Sequence, residues 1–329
     1  MGVFSKSVTL AAGLAAALIA ASAQAEQLKV KLEWLPSGIH AWYHLAVEKG
    51  WYRDAGLDVF IEDGKGSGVA AQLLATGAFD IGGNISLGAM AIARTKDMNN
   101  KAIAAMAQKS DMGFIFPKGK GWKSPKDFVD AKAQIIITPG DVWSPFLEVI
   151  FKTGGSDVKN AQLLNIAPAA KNSTYISTDN MVMTTVPPFT IPLVEKDRPS
   201  DLLMVYDIGL TLPGWGLIAS DAALQKRPAE VKKFVQATMR AFDYVTKGNE
   251  GEGVDAVMKA RPDAKLNRDL AIAQLKLYRP LFQDDSLKGK PSGFMSPENW
   301  TKSLKTMADV GLVPADVKAA EFFSNDYLQ

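Results

Sequence analysis

Residues 28–34 read Leu-Lys-Val-Lys-Leu-Glu-Trp, and this stretch, with the segments that follow it, decides the fold. Its alternation of apolar and polar residues predicts a β-strand, which Pro-Ser-Gly at 36–38 ends. Strands that alternate with helices predict an α/β fold built on a parallel sheet. The expected strands are 57–62 and 79–82, and the expected helices are 39–49, 69–75 and 85–96.

Two polar, glycine-bearing junctions, at 119–123 and 209–213, interrupt the rest of the chain. We therefore expect a two-lobed α/β fold in which each lobe is a sheet flanked by helices and two hinge crossings join the lobes. Residues 26–120 and 212–329 would form lobe I, and residues 121–211 would form lobe II, inserted into it. The remaining predicted strands are 101–107, 113–117, 133–137, 163–166, 180–185 and 202–207, and the remaining helices are 145–153, 228–247, 270–282 and 297–310.

The composition excludes several classes of function. The chain has 329 residues, of which 47% are hydrophobic, and 37 basic side chains against 35 acidic ones give a net charge of +2. This near balance argues against a nucleic-acid-binding protein, which carries a strong basic excess. Cysteine is absent and histidine occurs twice. Disulfides, cysteine-ligated zinc, iron–sulfur clusters and thiol catalysis are therefore excluded.

The first 25 residues have the pattern of a secretory signal peptide. Lys6 provides a positive start, residues 8–21 are apolar, and Ala-Gln-Ala at 23–25 is a small-x-small cleavage sequence. The apolar run is too short for a stable membrane anchor. We expect cleavage after Ala25 and a mature protein in the periplasm that is not inserted in the membrane.

Both histidines lie in one short segment, His40-Ala41-Trp42-Tyr43-His44. Their spacing places them on one helix face, which Glu48 continues, so they could form half of a metal site. The alternative is a polar helix face or a pair of pocket residues. The metalloprotease pattern is absent because alanine follows His40. We assign no metal and no cofactor.

Nucleophilic catalysis has little support in the sequence. No Gly-x-Ser-x-Gly elbow occurs, and both histidines precede every plausible serine. The glycine-rich stretch 64–68, which contains Ser67, matches neither the dinucleotide fingerprint nor the P-loop. It predicts a strand-to-helix turn whose backbone N–H groups can point at a ligand. We expect a binding protein and not an enzyme.

Aromatic and polar residues gather at predicted strand ends. Trp34 ends the first strand, Asn84 follows the third, and the segment from Asp141 to Trp143 follows a later one. Ligands of open α/β sheets bind at the carboxyl ends of strands, so these residues indicate a pocket. Any single tryptophan could equally be a core residue.

Several segments resemble one family of bacterial solute-binding proteins of ABC importers. It includes receptors for thiamine pyrimidine precursors, taurine, alkanesulfonates and nitrate. The resemblance is carried by Leu32-Glu33-Trp34-Leu35-Pro36 with His40, by residues 49–59 (Lys-Gly-Trp-Tyr-Arg-Asp-Ala-Gly-Leu-Asp-Val), by residues 66–82, and by Gly-Trp-Gly at 214–216. It implies the periplasmic-binding-protein fold, a ligand between two lobes, and a membrane permease as partner.

Within this family the sequence is most similar to the pyrimidine-precursor branch, in which the tryptophan matching Trp34 lines the pocket and His40 lies nearby. A planar heterocycle would stack on aromatic rings such as Tyr43 and Trp143. The amino group of an aminopyrimidine would donate to a carboxylate, for which Glu33 and Asp141 are candidates. The predicted ligand-binding residues are Glu33, Trp34, His40, Tyr43, Ser67, Asn84, Asp141 and Trp143.

Two alternatives stay open. A sulfonate, taurine or nitrate would need helix N-termini, at residues 66–68 and 84–86, together with a cation. No arginine stands at a predicted strand end in the first lobe, which favours a neutral or weakly basic aromatic ligand. The family also resembles a fungal enzyme that makes the thiamine pyrimidine and uses a cysteine-rich iron-binding stretch, which this chain lacks. We expect a monomer that binds a small molecule and no nucleic acid.

Overall fold

The computed structural model describes residues 26–138 and 143–329. The predicted signal segment and Asp141 lie outside these ranges. The strands of the described chain are β1 (Leu28–Leu32), β2 (Val59–Glu62), β3 (Ile81–Ser86), β4 (Asn100–Ala105), β5 (Gly113–Pro117), β6 (Gln134–Ile137), β7 (Gln162–Asn165), β8 (Met181–Thr185), β9 (Ser200–Met204) and β10 (Trp215–Ser220).

A short 3₁₀ turn, Gly38–His40, leads directly into the first helix. The helices are α1 (Ala41–Glu48), α2 (Trp51–Asp54), α3 (Ser67–Ala75), α4 (Leu87–Arg94), α5 (Pro125–Asp130), α6 (Leu147–Thr153), α7 (Lys171–Ser177), α8 (Pro187–Val194), α9 (Asp221–Lys226), α10 (Pro228–Thr246), α11 (Glu250–Ala260), α12 (Arg268–Tyr278) and α13 (Pro297–Ala308).

The strands form two five-stranded sheets, ordered β2-β1-β3-β10-β4 and β7-β6-β8-β5-β9. Strand β1 runs parallel to β2 and β3, as the alternating pattern predicts. The first sheet is mixed, because β10 runs antiparallel to both β3 and β4. The sequence prediction missed β10: its residues are all buried, so they show no period-two alternation.

The chain passes between the two sheets twice. Strand β5, predicted to precede the first junction, pairs with β8 and β9 of the second sheet, so the first crossing is residues 106–112. The return crossing lies between β9 and β10. The two are hydrogen-bonded to each other, because Ser110 N–H donates to Leu212 O at 3.2 Å and Val205 N–H donates to Met112 O at 3.0 Å. This pair of crossings forms a two-strand hinge.

Close packing at the hinge requires a glycine. A Cβ at Gly214 would lie 2.2 Å from the carbonyl oxygen of Ala107 and 2.6 Å from that of Lys109. Any larger residue would push the crossings apart. The exact lobe boundaries stay a prediction. The two crossings are the short connections that join the two sheets.

The helices bury the apolar faces that the sequence predicts. On α10 the predicted face includes Val231, Phe234, Val235 and Val245, and all four are buried. This helix and α11 pack on α1 beside the first sheet. Helix α12 packs on α8, and the Gln274 side-chain amide donates to Phe189 O at 2.8 Å. The two lobes therefore touch at a second place besides the crossings.

Candidate functional site

Glu33 and His40 form a hydrogen-bonded pair at the carboxyl end of β1. The His40 Nε2 lies 3.1 and 3.2 Å from the two Glu33 carboxylate oxygens. Glu33 is held by its backbone, because its N–H donates to Gly83 O at 3.1 Å on the parallel neighbour β3. His40 is fully buried, and its Nδ1 has no hydrogen-bond partner within the described ranges. The pair presents a fixed carboxylate.

Asn84 joins this pair to the adjacent strand. The Tyr43 hydroxyl donates to Asn84 Oδ1 at 2.8 Å, and Asn84 Nδ2 donates to Ile39 O at 2.7 Å. Asn84 has φ of 57°, a left-handed conformation that asparagine tolerates better than most residues. Its amide thus fixes the turn that carries His40. We call Glu33, His40, Tyr43 and Asn84 the edge cluster.

The edge cluster depends on close contact between α1 and β3. A Cβ at Gly83 would lie 2.7 Å from a methyl of Leu32 and 2.9 Å from the Tyr43 ring. Burial raises the pKa of the Tyr43 hydroxyl well above its ordinary value, so it is a hydrogen-bond donor at every physiological pH. The structure therefore brings together four of the predicted site residues.

Trp34 and Ser67 lie beside this cluster in different environments. Trp34 follows Glu33 directly and is 48% exposed, so its ring is available to a ligand. Ser67 begins α3, and its Oγ accepts from the Ser86 N–H at 3.1 Å, which ties α3 to the end of β3. A ligand role for Ser67 stays a prediction, because this structural bond already uses an oxygen lone pair.

Trp143 lies in a different part of the molecule. It is 2% exposed and packs on Phe114 of the second sheet, with ring centroids 5.2 Å apart. This environment fits a core residue better than a surface on which a ligand stacks, and the sequence alone allowed either role for each tryptophan. A ligand contact by Trp143 stays a prediction, as does one by Asp141.

The sequence prediction did not include three residues that approach the edge cluster from the hinge. Asp111 lies on the first crossing, Trp215 begins β10, and Tyr278 ends α12. Burial raises the pKa of Asp111 to about 7, and the nearby Glu33 charge adds to the increase. Burial raises the pKa of the Tyr278 hydroxyl well above its ordinary value, and the charges of Asp111 and Glu33 add to the increase. Asp111 lies six residues after the end of β4 and between Ser110 and Met112, so no local sequence signal distinguishes it.

The two histidines have separate environments. Burial lowers the pKa of His44 to about 3, and the neighbouring His40 adds to the decrease, so His44 is neutral at physiological pH. Glu48, the third residue of the possible metal face, pairs with Lys259 at 3.0 Å. Within residues 26–138 and 143–329, no group of three or more His, Asp or Glu side chains could hold a metal ion.

The edge cluster and the three hinge residues offer more acceptors of charge-assisted hydrogen bonds than donors. Glu33 and Asp111 supply carboxylates, while Trp215 supplies a buried N–H without a hydrogen-bond partner in the described chain. The exposed Trp34 follows Glu33 directly in the chain. Such a surface fits a planar molecule that stacks on a ring and donates N–H groups along one edge.

Two α/β lobes joined by two crossings, with polar groups at the strand ends of the first sheet, define the periplasmic-binding-protein fold. The chain belongs to the NMT1/THI5-like family, whose family model matches residues 38–250. The resemblance inferred from residues 32–59 and the later segments is thereby confirmed.

Characterised relatives cover nearly the whole chain at low identity. The formylaminopyrimidine-binding protein of Halalkalibacterium halodurans is 21% identical over 303 residues, which cover 91% of this chain and 90% of the relative. The riboflavin-binding protein RibY of Chloroflexus aurantiacus is 21% identical over 92% of this chain and 86% of its own length. A 4-amino-5-hydroxymethyl-2-methylpyrimidine phosphate synthase of Saccharomyces cerevisiae is 24% identical over 92% and 88%.

Solved structures share the fold. The alkanesulfonate-binding protein SsuA of Xanthomonas axonopodis pv. citri aligns with a TM-score of 0.67 and 14% identity, covering 92% of this chain and 99% of SsuA. The periplasmic nitrate-binding protein NrtA of Synechocystis PCC 6803 aligns with a TM-score of 0.66 and 14% identity, covering 92% and 86%. Across the described ranges, no helix has the length and hydropathy that a membrane span requires.

Proposed function

We propose that this protein is the periplasmic substrate-binding component of an ABC importer and captures a small planar heterocycle in the cleft between its lobes. The observation that carries the proposal is the Glu33–His40 pair, which the exposed Trp34 follows directly in the chain. The ring provides a stacking surface, and the paired carboxylate accepts an N–H from the edge of the stacked ligand. The bond from Glu33 N–H to Gly83 O and the bond from Gly64 N–H to Trp34 O hold the backbone of both residues at this strand end.

The charge of the site favours a receptor for a planar heterocycle over a receptor for an anion. A sulfonate or nitrate needs cationic donors, whereas the groups that meet at this site include two carboxylates, Glu33 and Asp111. The resemblance in fold to the sulfonate and nitrate receptors does not extend to a shared ligand. The pyrimidine-binding and riboflavin-binding relatives, by contrast, have planar heterocyclic ligands by name.

The absence of cysteine separates the proposal from the biosynthetic enzymes of the family. The fungal enzyme that the family resembles uses a cysteine-rich iron-binding stretch, and this chain has no cysteine. We therefore propose a binding protein that is exported by its first 25 residues, acts as a monomer, and delivers its ligand to a membrane permease. The mass of the exported protein tests cleavage after Ala25.

A thermal-shift screen followed by calorimetry tests the ligand class. The panel contains 4-amino-5-hydroxymethyl-2-methylpyrimidine, riboflavin, taurine and nitrate. A planar heterocycle should raise the melting temperature by mass action, and the anions should not. A Glu33→Gln variant should weaken the response, while Glu321→Gln, a control at an exposed site near the C-terminus, should retain it. A response to the anions alone would overturn the proposal in favour of the anion receptor. Turnover of candidate substrates by a purified, cofactor-checked sample would support the enzyme instead.

A further inference from the structure

A partly open cavity of about 340 Å³ lies at the hinge, between the two crossings and α13. The first crossing borders it through residues 107–109, the return crossing through residues 209–214, and the segment that begins α13 through residues between 295 and 303. In the part of the chain described, neither Trp34 nor any member of the edge cluster borders it. Pockets that hold small molecules begin at about 300 Å³. The cavity is therefore large enough for a ligand and distinct from the site described above.

Two buried side chains of α13 bring unpaired hydrogen-bond donors to the cavity wall. Trp300 is 3% exposed and Ser303 is 1% exposed, and both border the cavity. They are three residues apart, so they lie on the same face of the helix. Across residues 26–138 and 143–329, neither the Trp300 Nε1–H nor the Ser303 hydroxyl forms a hydrogen bond. The hydroxyls of Thr301 and Thr306, by contrast, donate to carbonyl oxygens of α13 at 2.8 and 3.0 Å.

These two donors differ from the other unpaired indole groups of the protein. The Nε1 atoms of Trp42 and Trp215 are fully enclosed by protein atoms, whereas Trp300 Nε1 and Ser303 Oγ are not. Because both residues border the cavity, it is the cavity that gives a partner access to them. A nearly buried donor without a partner is costly, and the group that relieves this cost must be a hydrogen-bond acceptor.

The charges around the cavity favour an acceptor that is negative. Lys109 of the first crossing and Lys302 of α13 border the cavity and are exposed, and neither forms an ion pair within the described ranges. Asp284 is the one acidic side chain among the described residues that border it. Its two carboxylate oxygens already accept hydrogen bonds, one from the N–H and hydroxyl of Ser286 and the other from Asn299 Nδ2 at 3.1 Å. Two lysines against one carboxylate leave an excess of one positive charge.

We propose that this hinge cavity is a second binding site, which takes a small carboxylate with a short apolar body. The carboxylate accepts from the Trp300 Nε1–H and the Ser303 hydroxyl, and the two lysines supply the opposite charge. The apolar body contacts Leu210, Leu212 and Met295, which are buried and border the cavity. A molecule bound here contacts both crossings, the segments that bend when the lobes close. The inference goes beyond the proposed function, and its test needs no planar ligand.

Titration followed by NMR of the indole N–H groups tests the site with three probes. Hexanoate carries the carboxylate and the apolar body, hexanamide lacks the charge, and acetate lacks the body. The protein has seven tryptophans, and the signal that disappears in Trp300→Phe belongs to Trp300. Hexanoate should shift this signal saturably and leave the enclosed Trp42 and Trp215 signals in place. The Kd of hexanamide and that of acetate should each be about tenfold higher or more.

Variants locate the bound probe. Ser303→Ala should raise the Kd of hexanoate about fivefold, and Lys302→Met should raise it about threefold. Lys305→Met, which removes an exposed charge elsewhere on α13, should leave it unchanged. Trp34→Ala should also leave it unchanged. Equal Kd values for hexanoate and hexanamide, or a Trp300 signal that no probe shifts, would overturn the site. Loss of hexanoate binding in Trp34→Ala would overturn it too, by placing the probe at the site of the planar ligand.

Discussion

Replacing Trp34 with alanine tests the ring-stacking surface directly. An indole side chain presents roughly 250 Å² of surface, of which the 48% exposed fraction of Trp34 corresponds to about 120 Å². A stacked ligand covers one face, or about 60 Å², which at ~25 cal/mol per Å² gives about 1.5 kcal/mol. Trp34→Ala should therefore raise the Kd about tenfold.

The assay is calorimetric titration with the pyrimidine or flavin that gives the largest thermal shift. Urea unfolding of the ligand-free variant is measured in parallel, and it should change little because half of the ring is already in water. Phe60→Ala is the matched control, since Phe60 is 41% exposed on the edge strand β2. An unchanged Kd with a clear loss of stability would refute the reasoning and assign Trp34 to the core.

Three further predictions concern stability and closure. Tyr43→Phe leaves the buried Asn84 Oδ1 without its 2.8 Å hydrogen bond and should cost about 1–2 kcal/mol in urea unfolding; no loss would show that the amide finds another donor. Because burial lowers the pKa of His44 to about 3 from an ordinary value of 6.5, the folded state binds fewer protons. Its contribution to stability is therefore present above pH 6.5 and is lost as pH falls toward 3, at up to about 1.4 kcal/mol per pH unit. His44→Gln should flatten that slope in unfolding curves, and a His44 ring that titrates near pH 6 by NMR would contradict the assignment. Gln274→Ala removes the hydrogen bond to Phe189 O between α12 and α8 and should speed ligand release about fivefold in stopped flow. The exposed Gln72→Ala serves as its control, and equal release rates for the two variants would contradict a role in closure.

The fold class could be predicted from local sequence patterns because each pattern indicates a single strand or helix. The alternation at 28–34 and the apolar spacing along 228–247 correspond to β1 and α10 in the structure. Strand β10 could not be found in this way. It lies inside the first sheet with every residue buried, so its burial pattern has no periodicity, and only its partners β3 and β4 define it.

The site residues also include some that the sequence could identify and some that it could not. Glu33, Trp34, His40 and Asn84 could be proposed from sequence, since they stand at or near predicted strand ends and the parallel pairing of β1 with β3 brings those ends together. Trp143 carried the same signal, but the packing of the second sheet encloses its ring beside Phe114. An aromatic residue near a strand end has the same sequence pattern in a pocket and in a core.

The sequence by itself therefore determined the α/β class, the family and the residues at the first strand ends, because these depend on neighbours close in the chain. Only the tertiary structure decided that Asp111, Trp215 and Tyr278 meet. They lie on a crossing, a strand and a helix separated by about a hundred and by more than sixty residues, and long-range contacts of this kind leave no local pattern. The raised pKa of Asp111 is a property of that meeting, since burial and the Glu33 charge act on it only after the chain has folded.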